Sequence, residues 1–197
     1  MKAIFISVRT GSTRLPNKSI LKIKDKHTIE YVIDNAKKSK HADKVILCTT
    51  HLKEDKILCD IAHKNNINFY RGSEHDKIKR WYDACKKFNI ESFTTADGDD
   101  LFYSGGLAEL CFEQLEDNDF IDGQGLYNDV YCMKSSTLDT IQMLKAEKII
   151  EPHDIIDYIK NNSFANNHIK IKKIDNVPNI FSKKDIRMTL DYEDDFR

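Results

Sequence analysis

Ala3-Ile4-Phe5-Ile6-Ser7-Val8 runs without pause into Arg9-Thr10-Gly11-Ser12-Thr13-Arg14-Leu15-Pro16-Asn17-Lys18. The first six residues are apolar except for Ser7, and half of them are β-branched. The next ten hold a glycine, several hydroxyls and three cations. That succession reads as a buried strand delivering an anion-binding loop. A triphosphate needs backbone N–H groups that can approach closely, which Gly11 permits because it lacks a Cβ. It also needs fixed cations, which Arg9, Arg14 and Lys18 supply. Pro16 stiffens the turn. The loop lacks the G-x-x-x-x-G-K-[ST] spacing of a Walker A motif, and a lone Gly11 is not the G-x-G-x-x-G of a dinucleotide fold, so kinase-like and dehydrogenase-like readings lose ground. A polar, solvated connection stays open as the bland alternative.

The 197 residues are 40% hydrophobic and 32% charged, as expected of an ordinary soluble globular domain with one sizeable core. One domain over 1–197 is expected, with a nucleotide-binding half (1–101) and an acceptor-binding, sheet-completing half (102–197). A net charge of −1, with lysines spread along the chain, argues against a nucleic-acid partner. Cys48, Cys59, Cys85, Cys111 and Cys132 are odd in number and widely spaced without any C-x-x-C. They read as buried thiols in a reducing compartment, not as a zinc site. The N-terminus lacks a long apolar stretch, and no run approaches a bilayer span, so the cytoplasm is expected and a membrane partner is not.

Strand and helix patterns alternate through the first half. Strands are expected at Ala3–Val8, Lys44–Thr50, Ile67–Tyr70 and Ser92–Ala96, and helices at Thr28–Lys38 (with Thr28 as N-cap), Lys53–Asn65 and Asp76–Phe88. Alternation of this kind demands right-handed crossovers and a mainly parallel sheet covered by helices, a Rossmann-like three-layer α/β arrangement. The second half is looser. Helices are expected at Leu107–Leu115, Ser136–Lys145 and Pro152–Asn161, and strands at Asp119–Ile121, Leu126–Cys132, His168–Ile174 and Asp185–Leu190. Trp81, at helical spacing with Ile78, reads as core.

In an open parallel sheet the ligand crevice lies at the carboxyl ends of the strands. Polar groups collect at four of those ends: Arg9 to Lys18, then Thr49 and Thr50, then Arg71 to Ser73, then Asp97, Asp99 and Asp100. Three carboxylates within four residues repel one another unless a cation neutralises them. A hard divalent ion, Mg²⁺ or Mn²⁺, suits a place where a triphosphate would lie.

Arg9 to Lys18 closely resembles the R-x-G-S-x-R-L-P-x-K signature of the acylneuraminate and KDO cytidylyltransferase superfamily, especially its SpsF-like branch. Two further stretches fit. Arg71-Gly72-Ser73-Glu74-His75-Asp76 with Arg80-Trp81-Tyr82 looks like the R-G-S-x-x-D-x-x-x-R-[YW]-Y segment, and Gly98-Asp99 looks like the G-D. The resemblance covers nearly the whole chain, strongly to about Leu101 and weakly from there to Thr189-Leu190-Asp191. It implies a GT-A-like nucleotidyltransferase fold and transfer of CMP from CTP to a small anionic acceptor with release of pyrophosphate, in surface polysaccharide or capsule precursor synthesis. It also implies metal binding by Asp99 and Asp191. Base recognition by Val8, Thr49, Thr50, Arg71 and Ser73 is carried over from the family, and Asp97, where relatives vary, is a further candidate for the nucleotide pocket or for supporting the metal site from behind. In that scheme Arg9, Arg14 and Lys18 take the β- and γ-phosphates, Lys18 stabilises the leaving pyrophosphate, and Gly11 and Ser12 offer backbone N–H groups. Superfamily members are commonly dimers, so a homodimer is possible. Phe102, Tyr103, Tyr127 and Tyr131 are candidates for such a contact or for the acceptor pocket.

The chain departs from sialate and KDO synthetases at Thr95-Ala96-Asp97-Gly98-Asp99-Asp100-Leu101, which has no proline where those relatives carry Q-P-T-S-P or Q-G-D-E-P. The acceptor therefore stays open between an acidic sugar and a phosphorylated metabolite, with Lys170, Lys172, Lys173 and Arg187 as candidate anion partners. Two other readings stand beside the transferase. One is a catalytically silent nucleotide-binding module. The other is a metal-dependent phosphohydrolase, which would need an activating base, and His75 is the histidine nearest in sequence to the carboxylates.

Overall fold

The opening strand lies in the middle of a seven-stranded sheet. The computed structural model describes residues 1–127, 129–182 and 189–196. In chain order the elements are β1 (Lys2–Ser7), β2 (Lys22–Ile23), β3 (Lys26–His27), α1 (Thr28–Ala36), β4 (Lys44–Thr50), α2 (Lys56–Lys64), β5 (Asn68–Gly72), α3 (Lys77–Phe88) and β6 (Ser92–Asp97). They continue with α4 (Gly105–Gln114), β7 (Phe120–Gly123), β8 (Val130–Lys134), α5 (Ser135–Lys145), α6 (Ile155–Asn161), α7 (Ser163–His168), β9 (Ile171–Lys173) and α8 (Glu193–Phe196). The sheet order is β5-β4-β1-β6-β8-β7-β9. Of these strands β8 alone runs against the rest, because it pairs antiparallel with both β6 and β7. The result is a three-layer α/β fold with a mainly parallel sheet to which both halves of the chain contribute.

Side-chain alternation along β1 makes the layers. Ala3 and Phe5 point into one core, with Trp81 of α3, Leu138 of α5 and Ile159 of α6. Ile4 and Ile6 point the other way, onto Ile29 and Ile33 of α1, Leu58 of α2 and Ala108 of α4. The Phe5 and Phe93 rings stack at 4.5 Å. Trp81 is buried, as its spacing suggests, and its indole N–H donates to the Ser7 hydroxyl at 2.8 Å. All five cysteines are buried free thiols, and burial pushes those of Cys48 and Cys111 up to about 12.

Parallel register brings the strand ends to one edge. Ser7 pairs with Cys48 and with Asp97, and Thr50 with Gly72. The Gly98 N–H continues the ladder to the Ser7 carbonyl at 2.9 Å. A Cβ on Gly98 would come within 2.6 Å of Val8, so only a glycine lets the ends of β1 and β6 close on each other.

Several boundaries differ from the sequence reading. Thr28 is the first residue of α1 and not its cap. The capping position belongs to His27, whose backbone N–H donates to Glu30 at 2.8 Å, while the Thr28 hydroxyl donates to the Lys18 carbonyl. Strand β8 starts at Val130 instead of Leu126. Gly125 has φ 84° and its N–H donates to Asp129, which prolongs the turn. The small β2–β3 ribbon and α7 are additions to the elements expected from the sequence pattern. The expected strand Asp185–Leu190 falls outside the described residues except for Thr189 and Leu190, which are not in a strand. Among the described residues no helix is long and apolar enough to cross a membrane.

Candidate active site

The cationic loop is pinned at both ends. Thr10 at its start donates its N–H and its hydroxyl to Asp55 Oδ1 at 2.8 and 2.7 Å. Lys18 at its end is fixed by the Thr28 hydroxyl on its carbonyl. Between them Asn17 takes the left-handed conformation at φ 57°. Gly11 is exposed, and a Cβ added there would meet nothing within 4 Å. Neither a neighbour nor a strained φ requires glycine at that position.

A cleft of about 270 Å³ opens between this loop and the end of β6, lined by Val8, Arg9, Gly11, Ser12, Arg14, Lys18, Lys77, Asp97 and Asp99. At its floor Lys18 Nζ donates to Asp99 Oδ2 and, at 2.9 Å, to Asp191 Oδ1. The Arg14 guanidinium meets the same Asp191 oxygen at 2.9 Å. The two acids are coupled through the backbone as well, since the Leu190 N–H donates to the Asp99 carbonyl at 3.0 Å. Burial alone would lower the pKa of Lys18, but its bonds to Asp99 and Asp191 outweigh burial and hold it above the usual lysine range. Asp191 is held below the carboxylate range because Lys18 and Arg14 overcome its burial. Asp99 is pushed up by burial and by facing Asp97, against the pull of Lys18.

The acidic triplet does not act as one group. Asp97 pairs with Lys77. Asp100 turns inward, is 3% exposed, and accepts the Asp97 N–H at 3.2 Å. Burial pushes its pKa well up, with Asp97 and Asp99 beside it raising it further, against a weaker pull from Lys77. Among the described residues no cluster of three metal-ligating side chains forms. Asp99 and Asp191, gathered on one ammonium, form an oxygen-only pair. That is the donor set a hard divalent ion takes when substrate phosphates and water complete its shell.

Four residues carried over for base recognition do not present their side chains to this cleft. Thr49 and Thr50 are fully buried, and the Thr50 hydroxyl donates to Asp55. Arg71 donates to the carbonyls of Thr50, His51 and Leu52 at 2.7 to 2.9 Å, clamping the loop after β4. The Ser73 hydroxyl accepts the Asp76 N–H at 3.0 Å. The lysines considered for the acceptor lie on or beside β9 at the far edge of the sheet. Lys170 donates to the Asp117 carbonyl, Lys172 pairs with Asp175, and Lys173 with Asp122. Arg187 lies outside the described residues. Of the four aromatic candidates, Tyr103 and Tyr131 are buried, and Phe102 stands exposed.

Two further cavities join the cleft. One of about 520 Å³ shares Ser7, Val8, Arg9 and Lys77 with it and adds Glu74, His75, Arg80, Ile149 and Glu151. The other, about 230 Å³, shares Lys77 and Asp97 and adds Trp81, Thr95, Asp129, Tyr131, Glu151, Pro152 and His153. Lys77, at the start of α3 with its ammonium 5.5 Å from the Trp81 ring centroid, stands where all three meet. Sequence reasoning passed over it because a lysine in a first helical turn looks like a solvated face.

A three-layer sheet of this order, with a cationic loop after its first strand facing two carboxylates, defines an α/β nucleotidyltransferase. Comparison with known proteins makes the class specific. Residues 3–162 match the family model described as cytidylyltransferase. The chain is 31% identical over 202 residues to an uncharacterized protein of Methanocaldococcus jannaschii, covering 100% of this chain and 81% of that protein. It is 22% identical to the spore coat polysaccharide biosynthesis protein SpsF of Bacillus subtilis, covering 97% and 81%. A solved cytidylyltransferase from Leptospira borgpetersenii superposes with a TM-score of 0.82 at 25% identity, covering 99% of this chain and 83% of that one. The chain belongs to the cytidylyltransferase family, with an SpsF-like relationship, and is a CTP-dependent nucleotidyltransferase.

Proposed function

We propose that the protein transfers CMP from CTP to a small anionic acceptor, an acidic sugar or a phosphorylated metabolite, and releases pyrophosphate. The observation that carries this is the meeting of Arg14, Lys18 and Asp99, which line one cleft, with Asp191, which pairs with both cations. Arg14 and Lys18 take the β- and γ-phosphates, and Lys18 offsets the charge that builds on the leaving pyrophosphate. Gly11 offers a backbone N–H to the same anion, whereas the Ser12 N–H that the resemblance also assigns to it is taken by the Thr10 carbonyl at 2.8 Å. Arg9, beside the nucleotide cleft and the larger cavity, adds a third cation.

Asp99 and Asp191 would hold Mg²⁺ or Mn²⁺, which when bound supplies charge neutralisation at the α-phosphate. Asp97 and Lys77 form the wall between the nucleotide and the smallest cavity, which receives the acceptor; Lys77 and His153 are the groups there that can meet its anion. In this reading of a single domain, residues 1–101 bind most of the nucleotide and supply Lys77 to the acceptor, while 102–197 complete the sheet, contribute Asp191 to the metal and close the acceptor side. The similarity to SpsF supports a role in precursor synthesis for surface polysaccharide.

The test is pyrophosphate release from CTP with Mg²⁺ and a panel of acidic sugars and phosphorylated metabolites. Acceptor-dependent release supports the transferase. Release without any acceptor would favour a phosphohydrolase, against which stands the lack of a histidine among the described residues lining the nucleotide cleft. Binding of CTP without turnover on any acceptor would leave a silent nucleotide-binding module.

A further inference from the structure

The larger cavity beside the phosphate loop is lined by a buried cation whose donors are only partly satisfied within the protein. Arg80 is 5% exposed and lines that cavity. One guanidinium nitrogen, Nη1, donates to the Ser73 carbonyl at 2.7 Å. Nε has no partner, no described carboxylate pairs with the group, and no acceptor among the described residues takes the N–H groups of Nη2. Leaving the buried Nε unmet is costly, so its position calls for an acceptor from outside the chain. Room for the side chain is made by Gly72, where a Cβ would come within 3.0 Å of Arg80 Cγ.

We infer that Arg80 reads the ring edge of the pyrimidine and selects cytosine over uracil. This rests on the proposed use of CTP. With the triphosphate on Arg14 and Lys18, the base reaches the adjoining cavity past Val8, which lines both spaces. A guanidinium carries donors only. Cytosine offers it two neighbouring acceptors, O2 and N3, whereas uracil places an N3–H donor there and meets Arg80 donor to donor. Arg71 and Ser73, the side chains the resemblance assigned to the base, are engaged with backbone groups instead, which leaves Arg80 as the unmet donor of the cavity.

Equilibrium binding to the full chain by calorimetry, with CTP, UTP, 3-deaza-CTP and inorganic tripolyphosphate, tests this without any acceptor. CTP is expected to bind roughly 10- to 100-fold more tightly than UTP or 3-deaza-CTP, the span of one bidentate base contact. Arg80→Gln is expected to bring CTP down to the level of UTP and to leave tripolyphosphate binding unchanged. Equal affinity of the wild-type chain for CTP and 3-deaza-CTP would overturn the inference, and that comparison decides the matter even where the variant fails to fold. A parallel loss of CTP and tripolyphosphate in a folded Arg80→Gln chain would also overturn it, by making Arg80 a phosphate ligand or a structural residue. Failure of the wild-type chain to bind either CTP or tripolyphosphate would instead remove the proposed nucleotide chemistry, and the inference with it.

Discussion

Asp55 holds Thr10 by two hydrogen bonds to a single carboxylate oxygen, the N–H at 2.8 Å and the hydroxyl at 2.7 Å. Its other oxygen takes the Thr50 hydroxyl. The start of the phosphate loop is thereby tied to the end of β4 through a fully buried carboxylate. Burial would raise the pKa of Asp55, but the bonds from Thr50 and Thr10 hold it below the usual range. Asp55→Ala strands those donors and is expected to cost about 1–3 kcal/mol, seen as a lower urea midpoint. The Michaelis constant for CTP should rise more than kcat falls, because Asp55 places the loop without touching substrate. A variant with wild-type stability and unchanged kinetics would show the tie to be idle.

Gly98 is constrained by contact, not by conformation. Its missing Cβ would sit 2.6 Å from both Cβ and Cγ2 of Val8. Gly98→Ala is expected to destabilise the fold by about 1–3 kcal/mol, as overpacking does, and to shift Asp99 relative to Lys18. Shortening the neighbour in the double variant Val8→Ala, Gly98→Ala should return much of the stability. A thermal melt of the four proteins of that cycle measures the coupling, and strict additivity would contradict the contact.

Lys18 sits between Asp99 and Asp191. Lys18→Met leaves two carboxylates facing each other, and turnover is expected to fall about 10²- to 10³-fold, the scale of losing one preorganised charge contact. Asp99→Asn relieves the crowding of Asp99 against Asp97, so the melting temperature should hold or rise while activity is lost. Kinetics and melts on the same preparations separate the two effects. Activity loss that merely tracks a fall in melting temperature in both variants would mark the trio as structural.

Much of this architecture is legible in the chain because apolar runs such as Ala3–Ile6 and Ile46–Cys48 are buried on both faces and tolerate no other placement. The joining of Lys18, Asp99 and Asp191 follows from strands whose ends share one edge, once their order is known. Less visible is which way a polar side chain turns at a strand end. Thr49 and Thr50 look like cleft hydroxyls, yet Asp55, a few residues on, draws the Thr50 hydroxyl inward. Arg71 and Arg80 lie in the same motif. One caps backbone carbonyls and the other is buried with donors unmet, a distinction set by packing around Gly72 and not by local pattern. The β2–β3 ribbon turns at Lys24 with φ 55° and lacks the Asn-Gly or Asp-Gly signal such turns usually carry. Helix α7 is too short to show a period, and its Asn162 cap, accepting the Ala165 N–H at 3.0 Å, was its readable mark.

Glu30 joins helix α1 to its surroundings and sets an acid limit on stability. Its carboxylate accepts from the His27 N–H at 2.8 Å and from Asn65 at 3.1 Å, and lies 3.5 Å from the Lys64 ammonium. Burial would push its pKa up, yet these partners lower it from 4.5 to about 2. A carboxylate depressed on folding stabilises the native state fully above its unfolded value, and that contribution drains away as pH falls from about 4.5 toward 2. Glu30→Gln is therefore expected to cost on the order of 2 kcal/mol at pH 7. The gap from wild type should narrow as pH falls and become small near pH 2.5, where Glu30 itself is partly protonated. Urea unfolding of both proteins at pH 7, 5, 4 and 3 reads the trend directly. A gap that stays constant across that series would assign the loss to packing, not to charge.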